Sequence, residues 1–208
     1  MEDVLAVYER RYDPKAPVLC MDEQPVQLVK ETRQPIPASA GRPLRIDYEY
    51  ERNGTAAIFL FTEPKAAWRK ASVREHRTRL DWAIEVRELL EGRYEGVPKV
   101  TLIMDNLNTH TTGSLYEAFP PAEARRLAQR LDIHYTPKHG SWLNVAENEL
   151  SALTRQCLAR RIATLRQMRG QVAAWQRERN NRRTQVRWRF TIDRARERLR
   201  RVYPRVQD

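Results

Sequence analysis

Two aspartates each follow an apolar stretch of the sequence, a placement that suits metal-dependent chemistry. Asp22 follows Val18-Leu-Cys-Met, and Asp105 follows Val100-Thr-Leu-Ile-Met. A carboxylate at the end of a buried strand is desolvated, which is costly unless the group is paired, hydrogen-bonded or bound to a cation. Either aspartate alone is equally typical of a turn. The pair predicts a Mg²⁺ or Mn²⁺ site, because a divalent cation between two carboxylates removes their repulsion.

A third acid would complete a two-ion site, which stabilises the attacking and leaving oxygens of a phosphoryl displacement. We expect this acid from a helix over residues 141–161, which contains no Gly or Pro and has Ser141 as its predicted N-cap. At about 100° per residue, Glu147 and Glu149 lie on opposite flanks of its apolar face. The helical period leaves both glutamates as candidates. The apolar face consists of Trp142, Ala146, Leu150, Leu153 and Cys157.

The elements that position these acids are predicted as alternating strands and helices. An apolar strand over 16–22 carries Asp22, and another over 97–105 carries Asp105. Residues 23–43, with four prolines, are predicted to be a loop, and Asn53-Gly54 is predicted to be a hairpin turn. The hairpin strands are predicted over 45–52 and 55–62. The other predicted elements are helices over 4–11, 75–91, 121–131 and 164–181, a strand over 132–136, and a short helix within 187–204.

This order predicts an α/β protein with a ribonuclease-H-like mixed five-stranded sheet flanked by helices, and with an Arg-rich helical C-terminal tail. In such a sheet the first strand lies beside the strand that follows the first long helix, so Asp22 and Asp105 become neighbours. We expect residues 1–162 to form the catalytic domain. Residues 163–208 are expected to form a basic helical extension packed on it.

Charge is distributed unevenly along the chain. The 208 residues include 38 Lys or Arg and 27 Asp or Glu, a net charge of +11. Residues 1–150 hold 21 basic and 23 acidic residues, whereas residues 151–208 hold 17 arginines and 4 acids. A near-neutral body with an arginine-rich tail favours a nucleic acid as partner over a merely solvated helix surface. Arginine suits this role because it binds phosphate in bidentate geometry.

Composition excludes several classes of protein. The longest apolar runs, such as residues 56–61, are far shorter than the about 20 residues of a transmembrane helix. Residues 1–5 lack the basic and apolar regions of a secretory signal. Cys20 and Cys157, the two cysteines, form neither a disulfide framework nor a zinc-binding spacing. These features predict a reduced, cytoplasmic protein.

Two blocks of the sequence resemble the signature blocks of mariner-type transposases. They are Leu102-Ile-Met-Asp105-Asn106-Leu-Asn-Thr-His110 and Tyr135-Thr-Pro-Lys-His-Gly-Ser-Trp-Leu-Asn-Val-Ala-Glu147-Asn148. They are most similar to the bacterial insertion-sequence branch of that superfamily, with its DDE endonuclease domain. Cys20-Met-Asp22-Glu23 resembles the block around the first catalytic aspartate of the family. Family-like sequence also occurs over 48–55, 188–191 and 199–204.

The resemblance implies a catalytic and metal-binding triad of Asp22, Asp105 and Glu147. It favours Glu147 over Glu149, because Glu147 follows Leu143-Asn144 in the Leu-Asn-x-x-Glu pattern of the family. The implied cofactor is Mg²⁺ or Mn²⁺, with two ions per site.

Other residues are expected to support the triad or to contact DNA. The resemblance implies that three residues hold the metal ligands in place or touch DNA, namely Asn106, His110 and Asn144. Arginines of the basic segment are expected to hold the DNA backbone without reading its sequence. The candidates are Arg155, Arg160, Arg161, Arg182 and Arg183.

The implied function is that of a transposase catalytic domain, which performs metal-dependent DNA cleavage and strand transfer of an insertion sequence. Its partners would be double-stranded DNA, at the transposon ends and the target, and a second copy of the chain in a homodimer associated with the nucleoid, with no membrane. Family members usually carry an N-terminal helix-turn-helix region that reads the transposon ends, and we expect that region to be missing here. Two alternatives are a catalytically idle DNA-binding remnant and a ribonuclease-H-like nuclease acting on RNA or RNA–DNA hybrids.

Overall fold

The computed structural model describes residues 1–201 and 203 and is built around one five-stranded sheet. The strand order is β3-β2-β1-β4-β5. Strands β1, β4 and β5 run parallel, whereas β2 is antiparallel to both β1 and β3. The predicted mixed five-stranded sheet is therefore confirmed. The strands are β1 (Val18–Glu31), β2 (Tyr50–Glu63), β3 (Trp68–Arg74), β4 (Val100–Met104) and β5 (Leu131–Tyr135).

The strands that carry the two aspartates are neighbours, as predicted. Residues 18–21 and 100–104 are uninterrupted or nearly uninterrupted apolar runs, the pattern typical of parallel strands covered on both faces. Cys20 pairs with Ile103 in the parallel ladder. The same register, continued by two residues, sets Asp22 beside Asp105.

The predicted loop over 23–43 is wrong in its first part, because β1 continues to Glu31. This extension pairs with β2 as far as Tyr50. Pro25 is tolerated there because it lies beyond the stretch of β1 that pairs with β4, where the strand has an open edge. The loop itself spans residues 32–49.

The predicted hairpin at Asn53-Gly54 is also wrong, because both residues lie inside β2. The pairing register of β2 against β1 shifts at this point, which is the signature of a β-bulge. Gly54 has a φ of 89°, which glycine adopts without the strain that a side chain would bring. The actual hairpin joins β2 to β3 through a 3₁₀ turn, Pro64–Ala66, and Ala67 in the left-handed conformation.

Seven helices flank the sheet in the part of the chain that the structure describes. The first, second, fourth and sixth helices confirm predicted helices, with shifted ends. The seventh confirms the short helix predicted in the tail, and the third was not predicted. Thr78 caps the second helix in a capping box with Asp81, and Thr164 caps the sixth. The helices are α1 (Glu2–Glu9), α2 (Arg79–Glu91), α3 (Thr112–Ala118), α4 (Pro121–Gln129), α5 (Val145–Leu153), α6 (Leu165–Asn181) and α7 (Ile192–Arg198).

The helix predicted over 141–161 is divided into three parts. Ser141–Leu143 form a 3₁₀ turn, α5 follows, and Thr154–Leu158 form a π-helical turn. The predicted cap Ser141 is wrong, since the side chain of Asn144 caps α5 by accepting a hydrogen bond from the backbone N–H of Ala146. Trp142, predicted on the apolar face, is 44% exposed because it precedes the helix.

Side chains of the central strands alternate between two apolar layers. Leu19 and Met21 pack with α2, α3 and α4, whereas Cys20 packs with α1, α5 and α6. Trp175 of α6 belongs to the second layer, so the start of the basic segment shares the core of the sheet. No helix in the described part of the chain combines the length and apolar character needed to cross a bilayer. Residues 202 and 204–208 of the predicted tail lie outside the described residues.

Candidate active site

Asp22 lies where β1 extends beyond β4, and its carboxylate is partly buried. Its Oδ1 accepts a hydrogen bond from the backbone N–H of Glu23 at 2.7 Å. Burial raises the pKa of Asp22 from 3.8 to about 7, and the negative charges of Asp105 and Glu147 act in the same direction. The charges of Asp105 and Glu147 thus both act on Asp22, and a nearby cation would offset them.

Asp105 is held from one side by His110. The Nδ1 atom of His110 lies 2.6 Å from Asp105 Oδ1, and its Nε2 atom lies 2.8 Å from Glu23 Oε1. Burial disfavours a charged imidazole, but the hydrogen bonds to Asp105 and Glu23 outweigh it and raise the pKa of His110 to about 9. At neutral pH the protonated ring donates to both carboxylates, so His110 supports an acid and has no contact of its own with solvent.

Glu147 and Glu149 have different environments in α5. Glu149 is fully buried; its Oε2 accepts a hydrogen bond from Nε of Arg179 at 2.9 Å, and its Oε1 accepts one from Nη2 of Arg69 at 3.3 Å. Glu147 lies in the first turn of α5, is partly exposed, and acts electrostatically on Asp22. Glu149 is thus committed to a buried ion pair, which favours Glu147 as the third acid.

Asn144 connects the start of α5 to β1. Its Nδ2 donates to the backbone carbonyl of Met21 at 2.8 Å while its Oδ1 caps the helix. From α1, the hydroxyl of Tyr8 donates to the carbonyl of Leu143 at 2.8 Å. These buried bonds fix Glu147 relative to Asp22. Asn144 is 2% exposed, and both polar atoms of its side chain are hydrogen-bonded within the protein.

Asn106 is exposed and lines a cavity of about 470 Å³ beside Asp105. Two exposed residues of the turn after β5, Lys138 and His139, belong to the same wall. His139 has a φ of 61°, a strained conformation of the kind found near binding sites. The cavity is lined by Asp105 and by the segment that joins β5 to the turn before α5.

The acids suit a divalent cation in chemistry, although they do not form a closed cluster. In the described part of the chain, no three carboxylate, imidazole or thiol groups converge on one metal position. Carboxylate oxygens are the ligands that Mg²⁺ and Mn²⁺ prefer. Burial raises the pKa of Asp22, and the charges of Asp105 and Glu147 raise it further; a bound cation would favour the charged carboxylate against both effects. Asp22, Asp105 and Glu147 therefore fit such ions.

Comparison with known proteins decides the family. A family model described as DDE superfamily endonuclease matches residues 17–169. The chain belongs to the DDE superfamily endonucleases. The matched range spans all five strands and α5, and so includes the three acids. No curated protein matches the chain.

Solved structures of the Mos1 mariner transposase share the fold of this DDE superfamily member. A Mos1 paired-end complex with Mn aligns with a TM-score of 0.56 at 16% identity, and the Mos1 strand transfer complex aligns with 0.58 at 14% identity. The matches cover 88% of this chain and 55% and 54% of the Mos1 chains. The predicted ribonuclease-H-like fold is confirmed, and the chain spans about half the length of Mos1.

The arginines predicted to contact DNA have different local surroundings in this DDE endonuclease fold. Arg155 follows Thr154, whose hydroxyl is hydrogen-bonded at 3.1 Å to Gln24, two residues beyond Asp22. Arg160 and Arg182 line one cavity of about 480 Å³. Arg183 lies just beyond the end of α6. Arg155 itself donates to the hydroxyl of Ser151 at 2.6 Å, so it is near the acids in the sequence of contacts through its neighbour Thr154.

Arg161 has an internal role in the fold. Its guanidinium donates to the carbonyl of Asp47 and the carbonyl of Glu49, each at 2.8 Å, and forms an ion pair with Glu31. These contacts tie the end of the 32–49 loop to β1. Both terminal nitrogens of Arg161 have partners within the protein, and the contact of Arg161 with DNA stays a prediction.

Two features of the site escaped the sequence interpretation. Glu23 was noted as part of a family-like block, yet its contact with His110 joins residues 87 positions apart and has no local signal. Arg69 lies in β3, a strand that was not predicted, and is 1% exposed beside Glu149. A fully buried arginine needs a buried acid as partner, but only the fold identifies which one.

Proposed function

We propose that the chain is the catalytic domain of a transposase, which cleaves DNA and transfers the cut strand by metal-dependent chemistry. The observation that carries the proposal is the parallel register that sets Asp22 beside Asp105, with the charge of Glu147 acting on the same site. Membership in the DDE superfamily endonucleases supports it. The fold shared with Mos1, whose structures include a paired-end complex and a strand transfer complex, supports it further.

Two Mg²⁺ or Mn²⁺ ions are the proposed cofactors, held by Asp22 and Asp105 with Glu147 completing the coordination. A Mos1 complex is described as containing Mn, which supports a divalent ion here. Bound ions of this kind supply charge stabilisation and nucleophile activation, both for phosphodiester hydrolysis and for the later attack of the freed 3′-hydroxyl.

The protein itself contributes orientation. His110 fixes Asp105 through a 2.6 Å hydrogen bond, and Asn144 fixes the first turn of α5 against β1. These contacts support the proposal that the segments carrying the three acids are held near one another before DNA arrives. Such preorganisation matters because a ligand misplaced by about 1 Å costs much of the rate of an enzyme.

We propose that the DNA backbone crosses the cavity beside Asp105 and continues past Arg155. Lys138 lies on the wall of that cavity, and its ammonium group would offset the charge of a phosphate near the acids. Arg160, Arg182 and Arg183 would extend the contact through charge alone. Asn106, exposed on the same wall as Lys138, is the proposed polar contact to the DNA strand.

The organisation of the active assembly belongs to the same proposal. A transposase joins two transposon ends, so we propose a homodimer on double-stranded DNA, at the nucleoid. Residues 1–162 would form the catalytic unit, and residues 163–208 its basic extension, of which α6 packs on β3 through Ala71 N–H and the side chain of Gln176. A further region that reads the transposon ends is proposed to act with this chain.

The test is a substrate panel. The purified protein is incubated with supercoiled plasmid, linear duplex DNA, an RNA–DNA hybrid and RNA, each with Mg²⁺, Mn²⁺ or EDTA. We expect nicking of supercoiled DNA that requires a divalent ion. Selective cleavage of the hybrid would instead establish the ribonuclease alternative. Salt-sensitive DNA binding without cleavage under any condition would establish the idle DNA-binding remnant.

A further inference from the structure

Glu23 is a buried acid whose surroundings do not favour the stability of the sheet. It follows Asp22 in β1, and since side chains alternate along a strand, the two carboxylates point to opposite faces. The side chain is 2% exposed, and Oε1 lies 2.8 Å from His110 Nε2. The other oxygen, Oε2, is buried and has no hydrogen-bond partner among the described residues. A half-paired buried carboxylate is destabilising, and such local costs concentrate at functional sites.

His110 transmits the contact from Glu23 to Asp105. Its ring is fully buried, and its Nδ1 lies 2.6 Å from Asp105 Oδ1. Its backbone is also restrained, since the hydroxyl of Tyr135 donates to the carbonyl of His110 at 2.8 Å. The ring of Trp82 lies beside the imidazole, with a centroid distance of 6.1 Å. With both nitrogens and the backbone held, the imidazole has one orientation.

The hydrogen bond from His110 gives the two carboxylate oxygens of Asp105 different surroundings. Oδ1 accepts the hydrogen bond from the imidazole, which leaves Oδ2 for another ligand. The Asp105 side chain is 35% exposed, whereas His110 and Glu23 are buried behind it. The free oxygen therefore belongs to the accessible side of the site, which also holds Asp22.

We propose that Glu23 is a positioning residue that acts through His110 to fix which oxygen of Asp105 binds the divalent cation. This inference rests on the proposed function, because it concerns the same metal site. Without the bond from Glu23, the imidazole can rotate and the carboxylate of Asp105 loses its fixed orientation. Residues that orient a metal ligand in this way change metal affinity by about 10- to 100-fold.

The experiment is calorimetric titration of Mn²⁺ into the metal-free protein without DNA. We expect Glu23→Leu to weaken Mn²⁺ binding by about 10- to 100-fold and also to lower the melting temperature, because His110 loses a buried partner. Glu23→Gln keeps an acceptor for His110 and is expected to bind close to wild type. Glu85→Gln is the matched control, since Glu85 is fully buried in α2 but pairs with Lys70 and Arg74; its Mn²⁺ affinity is expected to be unchanged.

A double-mutant cycle tests whether Glu23 acts through His110. We expect Glu23→Leu to add no further loss of Mn²⁺ affinity in a His110→Ala background, because the two residues form one chain. Additive losses would overturn the inference. If Glu23→Leu does not fold, Glu23→Asp replaces it, since the shorter side chain keeps the charge but moves away from Nε2.

The inference and the proposed function fail in different ways. If Glu23→Leu binds Mn²⁺ as tightly as wild type and Asp105→Asn abolishes Mn²⁺ binding, the metal site stands but the role of Glu23 is overturned. Unchanged Mn²⁺ binding in Asp105→Asn would contradict the proposed metal site itself. A melting temperature that falls in Glu23→Leu together with unchanged Mn²⁺ affinity would assign Glu23 a structural role only.

Discussion

Replacing Asp22 by Asn is predicted to stabilise the metal-free protein at high pH. Burial raises the folded-state pKa of Asp22 from 3.8 to about 7. The folded state therefore holds a proton that the unfolded state has already released. This acid destabilises the fold progressively as pH rises from about 4 to about 7, and the effect is constant above that range. The amide of the Asp22→Asn variant has no proton to lose in this range, so the variant escapes this cost.

The magnitude follows from the two pKa values. Each pKa unit corresponds to about 1.4 kcal/mol, so the full cost approaches about 4 kcal/mol at alkaline pH. Between pH 5 and pH 8, the Asp22→Asn variant is expected to gain about 2–3 kcal/mol relative to wild type. For a chain of this size this corresponds to roughly 5–10 °C in melting temperature.

The assay is thermal unfolding of wild type and Asp22→Asn at pH 5 and pH 8, with EDTA and then with Mn²⁺. Asp13→Asn, at an exposed position, is the control and should follow wild type at both pH values. Adding Mn²⁺ should raise the melting temperature of wild type but not of Asp22→Asn, because a ligand that binds only the folded state stabilises it. A difference between wild type and Asp22→Asn that does not change from pH 5 to pH 8 would refute the reasoning.

Three further predictions concern stability and DNA binding. Glu149→Gln should destabilise the fold by about 3–5 kcal/mol in urea unfolding, because Arg69 and Arg179 lose their buried partner. The control Glu117→Gln, at an exposed ion pair with Arg79, should change stability by less than about 1 kcal/mol. Equal losses of stability in the two variants would contradict the importance of the buried pair. Gly54→Ala should lower the free energy of unfolding by about 1–2 kcal/mol, because Gly54 has a positive φ. Gly170→Ala, in open space on α6, should instead raise the free energy of unfolding by up to about 1 kcal/mol. A stabilising effect of Gly54→Ala would rule out the bulge. Arg155→Ala should lower the slope of log affinity against log salt for duplex DNA by about 1, and an unchanged slope would remove Arg155 from the DNA path.

The parallel core of the fold was predictable because its strands carry continuous apolar runs. Residues 18–21 and 100–104 have that pattern, and the aspartates that follow them indicated the site. The hairpin prediction failed because Asn-Gly suits a bulge as well as a turn, and only the pairing partner distinguishes them. Strand β3 was missed because Arg69 and Lys70 make it look exposed, while their acidic partners come from distant segments.

The candidate site was predictable only in part. The helical period left Glu147 and Glu149 equivalent, and it took the family resemblance to favour Glu147. The structure adds a physical reason to prefer Glu147, since Glu149 forms buried ion pairs with Arg69 and Arg179. The supporting contacts of Glu23 and Asn144 join segments far apart in the sequence, to His110 and to Met21, so no local pattern encodes them.

The most direct test of the central claim is nicking of supercoiled plasmid in Mn²⁺ by wild type and by three single variants, Asp22→Asn, Asp105→Asn and Glu147→Gln. If these acids form one metal site, each variant should remain folded and lose at least about 100-fold in rate. The control Glu117→Gln should nick at the wild-type rate. Nicking that persists in any one of the three folded variants would contradict the assignment of that acid, and persistence in all three would place the chemistry elsewhere.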